Sequence, residues 1–582
     1  MILVFGGTTE GRKAAAVLEE AGQPFFYSTK TGEQDLVLHH GVRIDGAMDG
    51  AAMVQFCRTH DVHLLVDAAH PFAAQLHQTV AAAAAELQLP AVRYERIFPE
   101  RDEAVEWVDS IEDIRWGGGS IRVLSTLGVQ SIARLKPLEN ADRQFFYRIL
   151  PRESSIRLAH EQGASDEQLC FYSEDADERE TLKRLHPDVL LLKESGISGG
   201  FVEKVEVAKE MNIRVIAIRR PATPSLFQTV NGPHGLRRMV EKLLPDFFPL
   251  KSGLTTGTCA TAAAVAALRR LQTGETPSEV PVRLPNGETI SVSVGSSDGF
   301  CFCIKDAGDD PDVTNGVEIR ASVQPADCFE IKGGEGVGRF TLPGFDFPPG
   351  EPAINRAPRQ MLRENIPGNY SITISVEGGA ELARRTFNPR LGIEGGISII
   401  GVSGIVQPYS EEAFLESIRK CVAVARASGA ERIVLGSGAK SENALRALYP
   451  DLPAQAFVQY GNYVGETLRM AAEIGIQRVT LGVMLGKAVK LAAGQLDTHS
   501  RRATFDRDFL RQLLAESHCD ASLADRITLV RELWNLLPSS SLLAFVRTVL
   551  DHCHSHCQPL FPDGDLTLLL IDDEGHIFPH EN

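Results

Sequence analysis

No run of the 582 residues is long and apolar enough to cross a membrane. The longest apolar stretches, residues 189–192 and 566–571, are strand-length and end in charges. A leader peptide is also lacking, because Met1 runs straight into Ile2-Leu3-Val4-Phe5-Gly6-Gly7, a strand and a turn. Basic charge is in deficit: 59 Lys and Arg stand against 76 Asp and Glu, a net charge of −17. No basic stretch interrupts that acidic average, which argues against nucleic acid as a partner. An anionic small molecule remains compatible, since a few clustered cations reverse the sign inside one cleft. The ten cysteines are too scattered for a disulfide framework. Cys57, Cys170 and Cys421 sit in apolar helix or strand contexts, which suits a reducing cytoplasm. Internal repeats and low-complexity tracts are missing too.

What remains is an ordinary globular composition, 43% hydrophobic and 23% charged, in a chain too long for one core. The first half alternates short apolar runs (residues 1–5, 64–66, 121–125, 189–192 and 214–218) with alanine-rich helical stretches at 12–21 and 75–89. That rhythm predicts parallel sheets with crossover helices. A polar helix over 235–244 precedes Pro245-Asp246-Phe247-Phe248-Pro249, which reads as a short stiff linker. Residues 281–374 are rich in β-branched residues, glycine and proline, pointing to an α+β unit with many turns. From Ser410 the alternation returns, with helices at 411–428 and 465–474 and strands at 432–435 and 478–483. The expected architecture is therefore α/β: a Rossmann-like region over 1–246, then an α+β domain over 250–405 and a second α/β domain over 406–582.

Three segments of the first half sit where a parallel sheet receives ligands. Gly6-Gly7-Thr8-Thr9-Glu10-Gly11-Arg12 joins a strand to a helix, where backbone N–H groups meet phosphates, although its spacing is not that of a G-x-G-x-x-G fingerprint. A tight turn with no ligand would look the same. Asp67-Ala68-Ala69-His70-Pro71-Phe72-Ala73 places ionisable groups at a strand's carboxyl end; alternatively Asp67 caps the next helix and His70 packs on it. Lys193-Glu194-Ser195-Gly196, with Gly199-Gly200 and Glu203-Lys204, joins a strand to a helix through flexible turns and offers a lysine and backbone donors to an anion.

Taken in order, these segments with Arg93-Tyr94-Glu95-Arg96, Arg148-Ile149-Leu150-Pro151 and Arg219-Arg220-Pro221 resemble the precorrin-6A reductase family over residues 1–244. The resemblance implies a two-lobed α/β fold, NADH or NADPH as cofactor, and reduction of one double bond of a macrocycle. It makes Gly6, Gly7, Thr8, Thr9, Gly11 and Arg12 cofactor-binding candidates, and Arg93, Arg96, Lys193 and Ser195 substrate-binding ones. A guanidinium fork matches a ring carboxylate. His70 is the candidate proton donor because an unperturbed imidazole holds both forms near neutral pH; a water is the alternative. The segment from Lys193 to Gly199 is longer and less glycine-rich than the family's usual one.

In the second half, Leu254-Thr255-Thr256-Gly257-Thr258-Cys259 caps an alanine-rich helix, suited to an anion or simply to a buried helix. Lys305-Asp306-Ala307-Gly308-Asp309-Asp310-Pro311-Asp312 crowds four acids into one loop without Ca²⁺-loop spacing. Gly333-Gly334-Glu335-Gly336-Val337-Gly338-Arg339, Asn388-Pro389-Arg390 and Gly395-Gly396-Ile397 follow, with glycines again at Gly401 and Gly404. Gly486-Lys487-Ala488-Val489-Lys490-Leu491 then leads to Thr498-His499-Ser500-Arg501. Gly482 to Lys487 is no P-loop: three residues rather than four separate the glycines, and Ala488 stands where a Mg²⁺ hydroxyl belongs. His552, Cys553, His554, His556 and Cys557 cluster without a second ligand pair at finger spacing, so no metal site is assigned.

This set is similar to the cobalt-precorrin-5B C1-methyltransferase family over residues 250–578. The resemblance implies S-adenosylmethionine as methyl donor and C1 of a cobalt-corrinoid intermediate as acceptor. Gly396, Gly401 and Gly404 are the cofactor-side candidates; Thr256, Thr258, Arg390, Lys487, Lys490 and Arg501 the substrate-side ones. His499 either removes a ring proton or hydrogen-bonds a ring side chain. The turn Leu435-Gly436-Ser437-Gly438-Ala439-Lys440 is more polar than the family's. Two enzymes on one chain, acting on successive intermediates, would raise the local concentration of the shared one. The competing expectations are a single active half with a scaffold, a corrin carrier with no cofactor site, and a generic dehydrogenase with an unrelated partner domain. The expected setting is cytoplasmic, with no membrane and no nucleic acid; a homo-oligomer is left open.

Overall fold

The computed structural model describes all residues except 31, 33, 174–176, 500–504 and 581–582. The chain divides into two compact units, Met1–Lys251 with Asn286–Ile290, and Ser252–Pro285 with Ser291–Asn582.

The first unit holds two six-stranded sheets. One runs Gln228–Val230, Ala91–Tyr94, Leu64–Asp67, Ile2–Phe5, Phe25–Thr29, Gly41–Asp45. The other runs Glu106–Val108, Arg214–Ile218, Val189–Lys193, Ile121–Ser125, Arg143–Ile149, Leu169–Phe171. All neighbouring pairs are parallel. Counted from Ile2–Phe5 in the first sheet and from Ile121–Ser125 in the second, with the outer strand beside the fifth taken as sixth, each sheet has the doubly wound order 3-2-1-4-5-6, with ligands expected between strands 1 and 4. The central strands are unbroken apolar runs such as Ile2-Leu3-Val4-Phe5, buried along their whole length because helices cover both faces. One feature of the connectivity is not periodic in the sequence: the strand after the fifth of each sheet joins the other sheet. Glu106–Val108 crosses to pair with Arg214–Ile218, and Gln228–Val230 crosses back to pair with Ala91–Tyr94.

The expected linker at 245–249 is instead packed structure. Phe248 is buried in the first sheet's core beside Val240 and Leu236. The Arg237 guanidinium lies 4.5 Å above its ring and donates to the Leu250 carbonyl at 2.9 Å. Two adjacent phenylalanines after an amphipathic helix were the signal for packing that the prolines obscured.

In the second unit, helix Thr256–Thr273 starts at the Thr255 cap, whose Oγ1 accepts the Thr258 N–H at 3.2 Å, and ends at Gly274. Its alanines leave room for close approach, and it is buried from Thr256 through Leu268. It packs with a sheet ordered Gly295–Ser297, Phe300–Ile304, Glu318–Pro325, Tyr370–Val376, Glu330–Gly333. Strand Glu318–Pro325 alternates half-buried and buried positions, as a sheet covered on one face should. The remainder is a sheet ordered Phe457–Gln459, Arg432–Gly436, Arg478–Met484, Asp565–Ile571, Ile577–Pro579, parallel except for its last pair. Its chain order is 2-1-3-4-5, so its switch point lies between the carboxyl ends of Arg432–Gly436 and Arg478–Met484.

Candidate active sites

At the first switch point, Gly6 and Gly11 are packing glycines: an added Cβ would fall 2.1 Å and 2.6 Å from Tyr27 atoms. Gly7, at φ 89°, faces open space. Thr8 Oγ1 spans the two strand ends, donating to the Ala68 carbonyl at 2.7 Å while accepting the Gly11 N–H at 3.0 Å. Thr9 begins the helix, and Arg12 is exposed, with Nη2 3.4 Å from Thr9 Oγ1. The Gly7 N–H donates to the Tyr27 hydroxyl at 3.2 Å, so what this turn offers a dinucleotide phosphate is the open space at Gly7 beside the first turn of an 11-residue helix.

Arg93 is not available to substrate. It is buried, with Nη1 on Asp67 Oδ1 (2.9 Å) and the Asp67 carbonyl (3.0 Å), and Nη2 on Glu95 Oε1 (3.2 Å). Asp67 does not cap the next helix, which has Ala73 at its cap position and no side-chain cap. Its Oδ2 instead meets His77 Nδ1 at 2.5 Å. Burial alone would raise the Asp67 pKa, but His77 and Arg93 outweigh it and hold the carboxyl below its ordinary range.

His70, Arg96, Lys193 and Ser195 do come together, lining a cavity of about 250 Å³ with Lys204 and the turn Thr126-Leu127-Gly128. Arg96 is half committed: Nε meets Glu10 Oε2 at 2.9 Å and Nη1 donates to the Ser195 carbonyl at 2.8 Å. Glu10 also accepts from Ser198 Oγ at 2.5 Å, and Ser195 Oγ donates to the Gly199 carbonyl at 3.3 Å. Burial would raise the Glu10 pKa, yet Ser198 and Arg96 carry it below the usual value. Burial, then the nearby Arg96 and Lys193 charges, push the His70 pKa down to about 4. Its Nδ1 accepts the Phe72 N–H at 3.1 Å, so the neutral ring carries its proton on Nε2. A ring neutral at pH 7 is a hydrogen-bond donor and a poor general acid, which favours a positioning role for His70 over the expected proton donor.

In the second unit the threonine and glycine candidates are structural. Thr258 is fully buried, and its hydroxyl donates to the Gly404 carbonyl at 2.6 Å. Thr256 Oγ1 accepts the Ile400 N–H at 2.8 Å and lies 3.2 Å from the Ile400 carbonyl. A Cβ on Gly396 would sit 2.1 Å from the Gly336 carbonyl oxygen, on Gly401 2.3 Å from Thr255 Oγ1, and on Gly404 2.7 Å from Leu284. Gly396 lets two backbone segments touch, Gly401 and Gly404 make room for the Thr255 and Leu284 side chains, and each thus has a packing role. In the acidic loop, buried Lys305 meets Asp312 at 3.1 Å, and Asp312 Oδ1 accepts the Thr314 N–H at 2.8 Å, so the acids are folded onto their own chain. Cys553 and Cys557 are buried thiols, not metal-ready thiolates: burial raises the first well above its usual value and the second to about 12.

Of the cation candidates, Lys487 and Lys490 lie near one another. Lys487 donates to the Gly461 carbonyl and Lys490 to the Thr498 carbonyl (3.3 Å). Burial, then Lys490, lowers the Lys487 pKa to about 8. The His499 N–H donates to Asp497 Oδ1 at 3.0 Å. Arg390 Nη1 meets Glu442 Oε2 at 2.7 Å, and Glu442 is held also by Arg446 and Gln459. Arg501 lies outside the described residues. Gly438 and Gly486, at the two sides of the switch point, both face open space.

A cobalt-precorrin-5B C(1)-methyltransferase of Prosthecochloris aestuarii is 45% identical over 345 residues, spanning 55% of this chain and 94% of the relative. The chain belongs to that family. A namesake from Brucella anthropi is 44% identical over 295 residues, 48% of this chain and 80% of the relative. The family models place CbiD on 245–408, the CbiD C-terminal domain on 497–581, and precorrin-6x reductase CbiJ/CobK on 1–235. The chain thus joins a reductase-family region to a methyltransferase-family region, and its part is in cobalamin biosynthesis. Among solved structures, the cobalamin biosynthesis protein (cbiD) of Archaeoglobus fulgidus matches at 30% identity and TM-score 0.26, covering 44% of this chain and 83% of that one. CobK precorrin-6A reductase matches at 20% identity and TM-score 0.35, covering 42% and 96%.

Within the reductase region, sequence reasoning missed Glu10, which lies inside the quoted glycine turn but looked like an ordinary first-turn acid. Lys204, part of the segment that begins at Lys193, joins the cavity from one helix turn past Gly200. In the methyltransferase-family region it missed Glu442, a buried acid whose partners Arg390 and Gln459 are distant in sequence.

Proposed function

We propose that the chain performs two successive steps of corrin-ring synthesis. The methyltransferase half moves a methyl group from S-adenosylmethionine to C1 of cobalt-precorrin-5B, giving cobalt-precorrin-6A; the reductase half then yields cobalt-precorrin-6B with NADH or NADPH. The observation that carries this reading is the joining, in one chain, of regions similar to a cobalt-precorrin-5B methyltransferase and to a precorrin-6x reductase.

When bound, S-adenosylmethionine supplies an activated methyl group whose leaving thioether is neutral, so the protein's task is alignment. We place it at the switch point between Gly436-Ser437-Gly438 and Gly486, where two glycines leave room, in place of Gly396, Gly401 and Gly404. Lys487, Lys490 and Arg390 then hold ring carboxylates, with His499 as a hydrogen-bonding neighbour. When bound, a reduced nicotinamide supplies hydride. Gly7 and the helix beginning at Thr9 face its phosphates, while Arg96 orients the anionic ring and Lys193 and neutral His70 face an anionic group of the bound ligands.

With cobalt-precorrin-5B and S-adenosylmethionine but no nicotinamide, the protein should accumulate a singly methylated, unreduced ring. Adding NADH or NADPH should convert it to a species heavier by one hydride and one proton in mass spectrometry. Reduction before methylation, or no methylation at all, would overturn the reading.

A further inference from the structure

The cavity of the first unit is lined by three cations and, among the described residues, by no carboxylate. Two of the cations have local compensation. Arg96 is paired with Glu10, and the Lys204 ammonium donates to the Gly199 carbonyl at 3.0 Å with Glu178 and Glu203 nearby. Lys193 differs. Its ammonium lies 5.2 Å from the centre of the Phe72 ring, and no acidic side chain among the described residues is within ion-pair distance. A half-buried ammonium without a counter-ion costs free energy, and burial depresses its pKa accordingly.

Three further observations say what such a cation is placed for. Lys193 ends strand Val189–Lys193, and the turn Thr126-Leu127-Gly128 follows strand Ile121–Ser125. These are strands 4 and 1 of the second sheet, so the cavity occupies its switch point. His70 arrives from the switch point of the first sheet, so the cavity is shared by two ligand-binding edges. With Nδ1 occupied by the Phe72 N–H, His70 presents an N–H donor rather than an acceptor. Every side chain that distinguishes the cavity is therefore a donor. At about 250 Å³ it admits a substituent of a large ligand and not a macrocycle.

We propose that this cavity is an oxyanion subsite, in which Lys193 and Lys204 take one carboxylate or phosphate group of the ligand and His70 Nε2–H adds a further hydrogen bond. It deepens the reductase reading and rests on it for the two sources of such a group: a carboxylate arm of the ring or a phosphate of the dinucleotide.

The test uses the full chain and needs no turnover. Lys193→Met and Lys193→Arg would be titrated with NADPH alone, by fluorescence, and with an octacarboxylate porphyrin alone, by absorbance. Lys193→Met should weaken one of the two probes about tenfold or more, the scale of a charged hydrogen bond, and Lys193→Arg should recover most of that loss. Inorganic phosphate or acetate should compete for the same probe with wild type but not with Lys193→Met. The probe that weakens names the source. Unchanged affinity for both probes in Lys193→Met would overturn the subsite, as would a Lys193→Arg variant as weak as Lys193→Met. Thermal unfolding checks that each variant is folded. Failure of wild type to reduce the ring, with the anion titrations intact, would instead sink the reductase reading alone.

Discussion

Arg93→Met is the sharpest test of how the first switch point is built. The side chain is 1% exposed and links Asp67, itself 0% exposed, to Glu95 at 9%. Methionine fills similar volume, so the loss is almost entirely electrostatic: two buried carboxylates keep their burial and lose their cation. Removing one partner of a buried pair costs about 3–5 kcal/mol. For a unit of this size that lowers the first thermal transition by roughly 6–20 °C. The pH dependence has a definite sign. The Asp67 pKa is depressed in the folded state, so the Arg93 contribution is present above the unfolded value of about 3.9 and fades as pH falls through the folded one. In the variant only His77 and the Ala69 N–H oppose the effect of burial, so Asp67 takes up a proton more readily. The gap between wild type and variant should therefore narrow on acidification below about pH 4. Calorimetry of both proteins between neutral and acid pH measures this. A transition lowered by less than about 2 °C, or a loss of ring affinity with stability intact, would show that Arg93 faces the ligand rather than the sheet.

Two further outcomes follow from the same kind of reasoning. Lys487 should lose its charge as pH rises through about 8, so porphyrin or corrinoid affinity of the methyltransferase half should fall there in wild type and stay flat in Lys487→Met; an unchanged slope in the variant removes Lys487 from the anion site. A fragment ending at Leu244 should be less stable than one ending at Lys251 by about 1.5–3 kcal/mol, the worth of burying Phe248, as read by urea unfolding; equal stabilities would restore the linker interpretation of residues 245–249.

The sequence made some of this legible and hid the rest for identifiable reasons. Ile2-Leu3-Val4-Phe5 and Val189-Leu190-Leu191-Leu192 announce themselves because a strand covered on both faces has no polar positions. Gly41–Asp45 does not, since it forms an outer strand with no fully buried residue. Charged residues deceived in one direction. Arg93 looked like a substrate cation because its partner Asp67 lies 26 positions away, and no local pattern pairs them. Gly401 and Gly404 looked like a cofactor loop because the need to touch Thr255 and Leu284 is a property of the folded backbone alone. The cavity residues were partly found: His70, Arg96, Lys193 and Ser195 each end or follow a strand, whereas Lys204 lies within a helix and carries no such mark.

The crossing of the two outer strands also dictates an order of assembly during translation. The second sheet has its outer strand, Glu106–Val108, before any of its other members is made, so it can close once Arg214–Ile218 is available. The first sheet, although synthesised earlier, stays open along Ala91–Tyr94 until Gln228–Val230 arrives. At ordinary elongation rates that wait is on the order of ten seconds. An open edge whose residues are all destined for burial is a template for pairing with other chains. Arg93 stands on that edge strand, and both its carboxylates, Asp67 and Glu95, are made before the covering strand. The charged frame of the switch point can therefore form while its sheet is still open.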